Sequence, residues 1–223
     1  MGDEEDGAPL AGERIALKAM SAKLQADEAL QSIEVLVPTM PANAAWPQAL
    51  GNATAVSGNL KLSETPKLLN EVKVGAGNGF SSPLVPPPVI ADDFVFAMDG
   101  AGVISAHDAA DIRNVKWVIN QLEVDDEENR LVGGGLAWNN GVLYAAGSEG
   151  KVLAIEARTG KIKWKQELLL PLRTAPRLSG GQIILLTADN QLLSLSRING
   201  EVQWAHRGMI EIAVPLHNAL PAA

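Results

Sequence analysis

The 223-residue sequence predicts an all-β fold assembled from a repeated four-stranded unit. Three stretches share a pattern in which a small residue and a polar turn precede a tryptophan. The copies contain Ala154, Thr159, Gly160 and Trp164; Ser194, Asn199, Gly200 and Trp204; and, more loosely, Ala106, Asp108 and Trp117. Successive tryptophans lie 47 and 40 residues apart. That period is typical of the blade of a β-propeller rather than of a helical solenoid.

Each repeat has the same order of predicted strands and turns. Three strands separated by tight turns are followed by a glycine turn and the tryptophan strand. The first three strands are predicted at Val89–Ile90, Phe94–Met98 and Val103–Ala106; at Leu136–Ala137, Val142–Ala146 and Val152–Ile155; and at Arg177–Leu178, Ile183–Thr187 and Leu192–Leu195. Tight turns between β-branched runs are hairpin signals. A repeated four-stranded meander buries its faces only by stacking on its neighbours.

The predicted organisation is a tail over residues 1–43, partly disordered, and a partial β-propeller over residues 44–223. Within the tail, Glu13–Ile33 is expected to form a helix or an extended tether. Glu71–Val74 is expected to form one more strand. Blades are expected at about 83–120, 131–168 and 172–208, with the start of a fourth after residue 209.

The repeat residues are interpreted as packing residues. A small residue at Ala154 or Ser194 leaves room for an indole from a facing sheet, and Gly160 or Gly200 permits a tight turn. The tryptophan supplies a large apolar area and one N–H donor. The alternative is that the tryptophans form a platform on which a ligand stacks.

Composition excludes several classes of function. The net charge is −8 and the pI is about 4.9, so the chain is not expected to bind nucleic acid or anionic lipid. No apolar run reaches the roughly 18–20 residues that span a bilayer. There is no cysteine. The N-terminus Met1–Asp6 is acidic, unlike a secretory signal, so the chain is either cytoplasmic or begins downstream of its export signal.

No catalytic, cofactor-binding or metal-binding residue is assigned from the sequence. Gly75–Gly79 is followed by prolines that forbid the helix a phosphate loop requires. The acidic run Asp125–Glu128 is typical of a solvated loop rather than of a Ca²⁺ site. The three histidines, His107, His206 and His217, have no ligand spacing.

The Ala-x-Asp-x-x-Thr-Gly-x-x-x-Trp pattern resembles the tryptophan-docking motif of the pyrroloquinoline-quinone (PQQ) type repeat. More narrowly, residues 44–208 are similar to the BamB family, the propeller lipoproteins of the outer-membrane β-barrel assembly machinery, in their alphaproteobacterial form. The phrases that carry the similarity are Trp46-Pro47-Gln48, Pro87-Pro88-Val89-Ile90-Ala91, Val103–Ala109 and Thr187–Leu192. Quinoprotein dehydrogenases share the repeat.

The resemblance implies an eight-bladed propeller at the periplasmic face of the outer membrane. Eight blades of about 44 residues need on the order of 350 residues, and propellers close with roughly four to eight blades. The chain is therefore expected to be an N-terminal fragment without its export signal, or to self-associate through unpaired blade edges. In the family, the strand near Glu71–Val74 would close the ring by completing the last blade.

The resemblance also implies a partner site. In BamB-type proteins a Leu-x-Leu-Arg in the loop between two blades contacts the periplasmic domains of the BamA barrel protein. Leu170, Leu172 and Arg173 fall on these positions, and an exposed leucine pair beside an arginine would suit a binding hot spot. The alternative is that the leucines cover the joint between two blades.

We therefore expect a non-enzymatic protein-binding scaffold that docks on a BamA-type protein. The first alternative is a fragment of a quinoprotein dehydrogenase that uses PQQ and Ca²⁺. Such enzymes need a closed ring, a catalytic aspartate, a Ca²⁺ site and often a vicinal disulfide. The second alternative is a propeller that displays its loops to another partner in the cell envelope.

Overall fold

The computed structural model describes residues 27–30, 32–75, 86–120 and 133–208. The chain divides into two units, Met1–Pro38 and Thr39–Ala223. In the first unit, the described residues include an exposed 3-10 turn at Glu28–Leu30. The predicted helix Glu13–Ile33 and the tail before it lie mostly outside the described residues, so the boundary at residue 43 stays a prediction.

The described part of the second unit contains twelve strands in three four-stranded antiparallel sheets, which we call blades 1 to 3. Blade 1 has β1 (Val89–Ala91), β2 (Phe94–Met98), β3 (Ile104–Asp108) and β4 (Val115–Ile119). Blade 2 has β5 (Gly135–Asn139), β6 (Val142–Ala146), β7 (Lys151–Glu156) and β8 (Ile162–Glu167). Blade 3 has β9 (Arg177–Ser179), β10 (Gln182–Leu186), β11 (Gln191–Ser196) and β12 (Val202–Arg207). In each blade the spatial order of strands follows the chain, which confirms the prediction of an all-β partial propeller of about three blades.

The first hairpin of every blade turns through two residues in the left-handed region. The pairs are Asp92 and Asp93 (φ 50° and 63°), Asn140 and Gly141 (47° and 76°), and Gly180 and Gly181 (52° and 89°). Positive φ at both central residues matches the type I′ turn, whose twist suits a two-residue hairpin. The same turn thus recurs although the residues that form it differ.

Successive side chains of a strand point to opposite faces, so blade 2 contributes to two separate cores. Leu143 belongs to the core between blades 1 and 2, whereas its neighbour Tyr144 belongs to the core between blades 2 and 3. The first core includes Val89, Phe96 and Ile104 of blade 1 and Leu136, Leu143 and Ile155 of blade 2. The second includes Tyr144, Val152 and Ala154 of blade 2 and Leu178, Leu185 and Leu195 of blade 3. The blades are therefore held together face to face, as a propeller requires.

Several strand predictions differ from the structure. The predicted strand Ile183–Thr187 is observed at Gln182–Leu186, and Thr187 instead forms an isolated bridge with Leu172. Glu71–Val74 carries no strand, because a strand needs a ladder partner and none of the described residues pairs with this segment. The third strand of blade 1 begins at Ile104 rather than Val103. Val103 belongs to the preceding turn, where its N–H donates to the Asp99 carboxylate over 2.8 Å. No helix in the ranges given above has the length and apolar character of a membrane span.

Candidate functional site

The three repeat tryptophans stand opposite the three small residues of the repeat. The register pairs are Ala106 with Trp117, Ala154 with Trp164, and Ser194 with Trp204. A register shift follows immediately after each pair, as in a β-bulge, which re-aims a side chain. Each indole therefore stands beside the small residue of its own blade, and not in a space left for an indole from a facing sheet.

The indole of one blade docks on the glycine turn of the next. Trp117 Nε1 in blade 1 donates to the carbonyl oxygen of Ala157 in blade 2 over 2.9 Å. A Cβ added to Gly160 would lie 2.9 Å from Cγ and Cδ2 of Trp117. Real Cβ atoms essentially never come this close, so Gly160 is required by the neighbouring blade as well as by its own φ of 76°.

The same joint connects blades 2 and 3, with two additional contacts. Trp164 Nε1 donates to the carbonyl of Arg197 over 3.1 Å, and a Cβ on Gly200 would lie 2.7 Å from Cε3 of Trp164. The Tyr144 hydroxyl in blade 2 donates to the same Arg197 carbonyl over 3.5 Å. The Arg197 guanidinium donates to Asn139 Oδ1 over 2.6 Å. Burial raises the pKa of the Tyr144 phenol.

Polar repeat residues hold the turns between the third and fourth strands of the blades. In blade 1, Asp108 accepts a hydrogen bond from the Ala110 N–H over 2.9 Å and an ion pair from Lys116 Nζ over 3.0 Å. The Lys116 ammonium is the main cause of the lowered pKa of the Asp108 carboxyl. In blade 2, Thr159 Oγ1 accepts from the Lys161 N–H over 3.2 Å. Trp117 follows Ala106 by 11 positions, one more than the 10 that separate Ala154 from Trp164 and Ser194 from Trp204. The additional residue lies in the turn between β3 and β4, so Trp117 still pairs with Ala106.

Trp204 in blade 3 differs from the other two tryptophans. It is 39% exposed, and it lies on β12, whose residues are all exposed. Opposite it, Ser194 is fully buried, and its Oγ has no hydrogen-bond partner among the described residues. The strand partner of Ser194 on β10 is Ile184, where blades 1 and 2 have Phe96 and Tyr144.

The loop between blades 2 and 3 contains the predicted partner-binding residues, and hydrogen bonds from both blades hold it. Backbone bonds run from Leu168 N to Gly150 O (3.0 Å), from Leu172 N to Ser148 O (2.7 Å), from Arg173 N to Leu186 O (2.9 Å) and from Ala188 N to Pro171 O (2.7 Å). We call residues 168–173 the inter-blade loop. Its backbone is anchored at four points, so the exposed side chains that it carries have a fixed position.

Within this loop, the expected pair of exposed leucines is not present. Leu172 is only 1% exposed and belongs to the core between blades 2 and 3, while Leu170 is half-buried against the same core. The exposed side chain is that of Leu169, at 87%, and its φ is 54°. Leucine rarely adopts a positive φ, and this conformation turns Leu169 outward.

Arg173 lies at the C-terminal end of the inter-blade loop. Its side chain is half-buried, and its Nη2 donates to the Ala188 carbonyl over 2.6 Å. The guanidinium is therefore fixed at the rim of the loop, on the blade 3 side. Leu169 is the residue that sequence reasoning missed, because three consecutive leucines give no periodicity from which an outward position could be chosen.

The described residues contain no group of three or more histidine or acidic side chains that could hold a metal ion. His107 is buried, with its two ring nitrogens 2.7 Å from Ile112 O and 2.9 Å from Ser105 Oγ. Because a carbonyl only accepts, Nδ1 of His107 is a donor, and the ring is engaged within its own blade. The acidic run Asp125–Glu128 and His217 lie outside the described residues.

Comparisons with known proteins agree with this arrangement. A family model described as outer membrane protein assembly factor BamB matches residues 119–222. The outer membrane protein assembly factor BamB of Escherichia coli K12 is 31% identical over 108 residues, which cover 47% of this chain and 27% of that protein. The quinoprotein alcohol dehydrogenase PedH of Pseudomonas putida KT2440 is 32% identical over 77 residues, 30% of this chain and 13% of that enzyme. The chain thus spans about a quarter of the length of the E. coli protein.

Among solved structures, the quinohemoprotein alcohol dehydrogenase from Comamonas testosteroni superposes with a TM-score of 0.56 and 20% identity. The match covers 74% of this chain and 27% of that one, and at this identity it shows the fold alone. The family model and the E. coli relative place the sequence similarity mainly with BamB. With its three tryptophan-docked blades, the chain is similar to outer membrane protein assembly factor BamB over about half of its length.

Proposed function

We propose that this chain is a non-enzymatic scaffold in the assembly of outer-membrane β-barrel proteins, acting at the periplasmic face of the outer membrane. In this role it docks on the periplasmic domains of a BamA-type protein through the inter-blade loop. The observation that carries the proposal is the exposed Leu169 on a loop whose backbone is anchored to two blades. The match of residues 119–222 to the BamB model supports the assignment of the partner.

The chemistry of the loop suits recognition of a protein surface. Leu169 is an apolar anchor whose ordering costs little on binding, because its backbone is already fixed. Arg173 provides a positive charge on a chain with a net charge of −8, and arginine is enriched among residues that dominate binding energy. The matching surface on the partner is an apolar depression for Leu169 with a carboxylate beside it for Arg173.

Leu170 and Leu172 have a supporting role in this proposal. They pack beneath the loop against the core between blades 2 and 3. Truncation of Leu172 would cost about 2–5 kcal/mol of stability, as for other buried leucines. Its effect on docking would therefore act through loss of the loop conformation, and Leu172→Ala is unsuitable as a test of contact.

The experiment is a pull-down of the periplasmic BamA domains by this chain. Leu169→Asn removes the apolar side chain, and asparagine tolerates a positive φ better than most residues; we expect a several-fold weaker interaction with an unchanged fold. Arg173→Glu should weaken docking by a similar factor. The matched control is Ile198→Asn, since Ile198 is 89% exposed on a turn of blade 3 and lies outside the loop. A folded chain that does not bind, or equal losses for Leu169→Asn and Ile198→Asn, would contradict the proposal.

The quinoprotein alternative predicts a different observation. A chain that binds PQQ and Ca²⁺ would retain the quinone absorbance after incubation with both and removal of the excess by gel filtration. The scaffold proposal expects no retained absorbance. Retention of one quinone per chain would instead favour the assignment as a quinoprotein dehydrogenase.

A further inference from the structure

One segment of the second unit contacts all three blades at their first strands. Residues 46–53, which we call the axial segment, run past β1, β5 and β9. These are the first strands of their sheets, and in a propeller the first strand of a blade lines the central channel. The axial segment belongs to no sheet of its own.

The contacts to blades 1 and 2 are made by the backbone. Trp46 and Ile90 exchange both hydrogen bonds, with N···O distances of 2.7 and 3.0 Å. The carbonyl of Pro47 accepts from the Trp138 N–H over 2.7 Å, and Gln48 forms an isolated bridge with Ala137. Proline has no N–H to satisfy, so it suits a position where only the carbonyl is used.

The contact to blade 3 is made by side chains. The Gln48 carboxamide accepts from the Leu178 N–H over 3.1 Å and donates to the Leu178 carbonyl over 3.4 Å. The carboxamide thus makes with Leu178 of β9 the two hydrogen bonds that backbone groups of a neighbouring strand would otherwise make. Arg177, only 1% exposed, donates to the carbonyls of Asn52 and Ala53. Burial lowers the pKa of this guanidinium.

The turn after Gln48 is closed by the segment itself. Gly51 N donates to Gln48 O over 2.8 Å, and Gly51 has a φ of 92°. A Cβ on Gly51 would lie 3.1 Å from Cη2 of Trp46, so the indole folds back over the turn. Asn52 Oδ1 accepts from the Thr54 N–H over 3.1 Å. The turn is thus closed by local hydrogen bonds, and the Asn52 and Ala53 carbonyls accept from Arg177 of blade 3.

From these contacts we infer that the first strands of the three blades form a binding groove for an extended peptide, and that residues 46–53 are its resident ligand. The groove takes an extended backbone at blade 1, a residue that uses only its carbonyl, such as proline, at blade 2, and a primary amide at blade 3. By occupying it, the axial segment connects blade 1 with blade 3, which the two tryptophan joints connect only through blade 2.

The test asks whether the segment stays bound when its covalent connection is cut. A protease recognition sequence is inserted between Pro66 and Lys67, within the exposed residues 61–69, and the folded full chain is cleaved there. We expect the fragment ending at Pro66 to co-elute with the rest of the chain in gel filtration. If the fragment ending at Pro66 separates from the rest of the chain in the first gel-filtration run at micromolar concentration, the inference is wrong.

A second measurement uses peptides, so that no residue of the blades is altered. A labelled peptide of residues 44–57 is added in large excess to the cleaved protein and left until the resident fragment has exchanged, and its incorporation is followed by fluorescence anisotropy. The same peptide with Gln48→Ala loses two hydrogen bonds and should compete at least about ten-fold more weakly. The matched control peptide carries Val56→Ala, because Val56 is 68% exposed, and should compete like the unaltered one. Equal competition by all three peptides, or no incorporation, would refute a specific groove.

Discussion

Replacement of Gly160 by alanine measures directly how much the docking of Trp117 on blade 2 contributes to the free energy of unfolding. The new Cβ would lie 2.9 Å from the Trp117 indole, so the ring must move away from the turn. Its movement breaks the hydrogen bond from Trp117 Nε1 to Ala157 O. Two part-buried polar groups then lose their partner, at a cost of about 1–3 kcal/mol.

A second cost comes from the backbone. Gly160 has a φ of 76°, where an alanine costs about 1–2 kcal/mol. The total expected loss of unfolding free energy is therefore about 2–5 kcal/mol. Gly141 provides the control, since its φ is also 76° and a Cβ there would meet nothing within 4 Å. Gly141→Ala should show the backbone cost alone, about 1–2 kcal/mol.

The assay is urea unfolding followed by circular dichroism, because fluorescence would report on the indole that the change displaces. The slope of the free energy against urea should stay constant between variants, so that midpoints compare stability. In a Trp117→Ala background, Gly160→Ala should cost no more than Gly141→Ala, since the clash is gone. Equal losses for Gly160→Ala and Gly141→Ala in the wild-type background would refute the docking argument.

Three further changes are predicted. Trp164→Ala should cost about 3–5 kcal/mol and Trp204→Ala distinctly less, because Trp204 is 39% exposed; similar losses in urea unfolding would contradict this. Ser194→Ala should be neutral or stabilising by up to about 1 kcal/mol, since it removes a buried hydroxyl without a described partner, and a clearly lower urea midpoint would oppose it. Hydrogen bonds from Thr187 and Gln191 lower the pKa of Asp189, so its contribution is complete above the unfolded pKa of about 3.9 and is lost as pH falls through the folded value. Asp189→Asn should therefore flatten the fall in stability between about pH 5 and pH 2; an unchanged pH profile would count against it.

The strands and hairpins of the blades could be predicted from the sequence, because each hairpin is determined by residues that are adjacent in the chain. The turn pairs Asp92–Asp93 and Asn140–Gly141 each determine a hairpin from adjacent residues. The docking site of the indole could not be predicted in the same way, because the hydrogen-bond acceptor of Trp117 lies 40 residues later in the chain. A repeat motif identifies the tryptophan but does not indicate which blade it contacts.

The candidate site was predictable only in part for a related reason. The loop position and Arg173 follow from the resemblance, whereas burial within Leu168–Leu172 depends on a core shared by two blades. The contacts of Gln48 and Arg177 were not predictable either, because the partners of Gln48 lie 130 residues away. Sequence spacing gives no signal for a contact of that length.

The tryptophan joints also impose an order in time on a chain made from its N-terminus. Trp117 and Trp164 each dock on the blade that follows their own, and their hydrogen-bond acceptors lie 40 and 33 residues downstream. A newly synthesised blade therefore emerges with its tryptophan uncovered and stays so until most of the next blade has been made. While the chain is being made, its growing end therefore exposes first the undocked Trp117 and later the undocked Trp164. A solitary exposed indole is a surface that a chaperone for apolar side chains recognises.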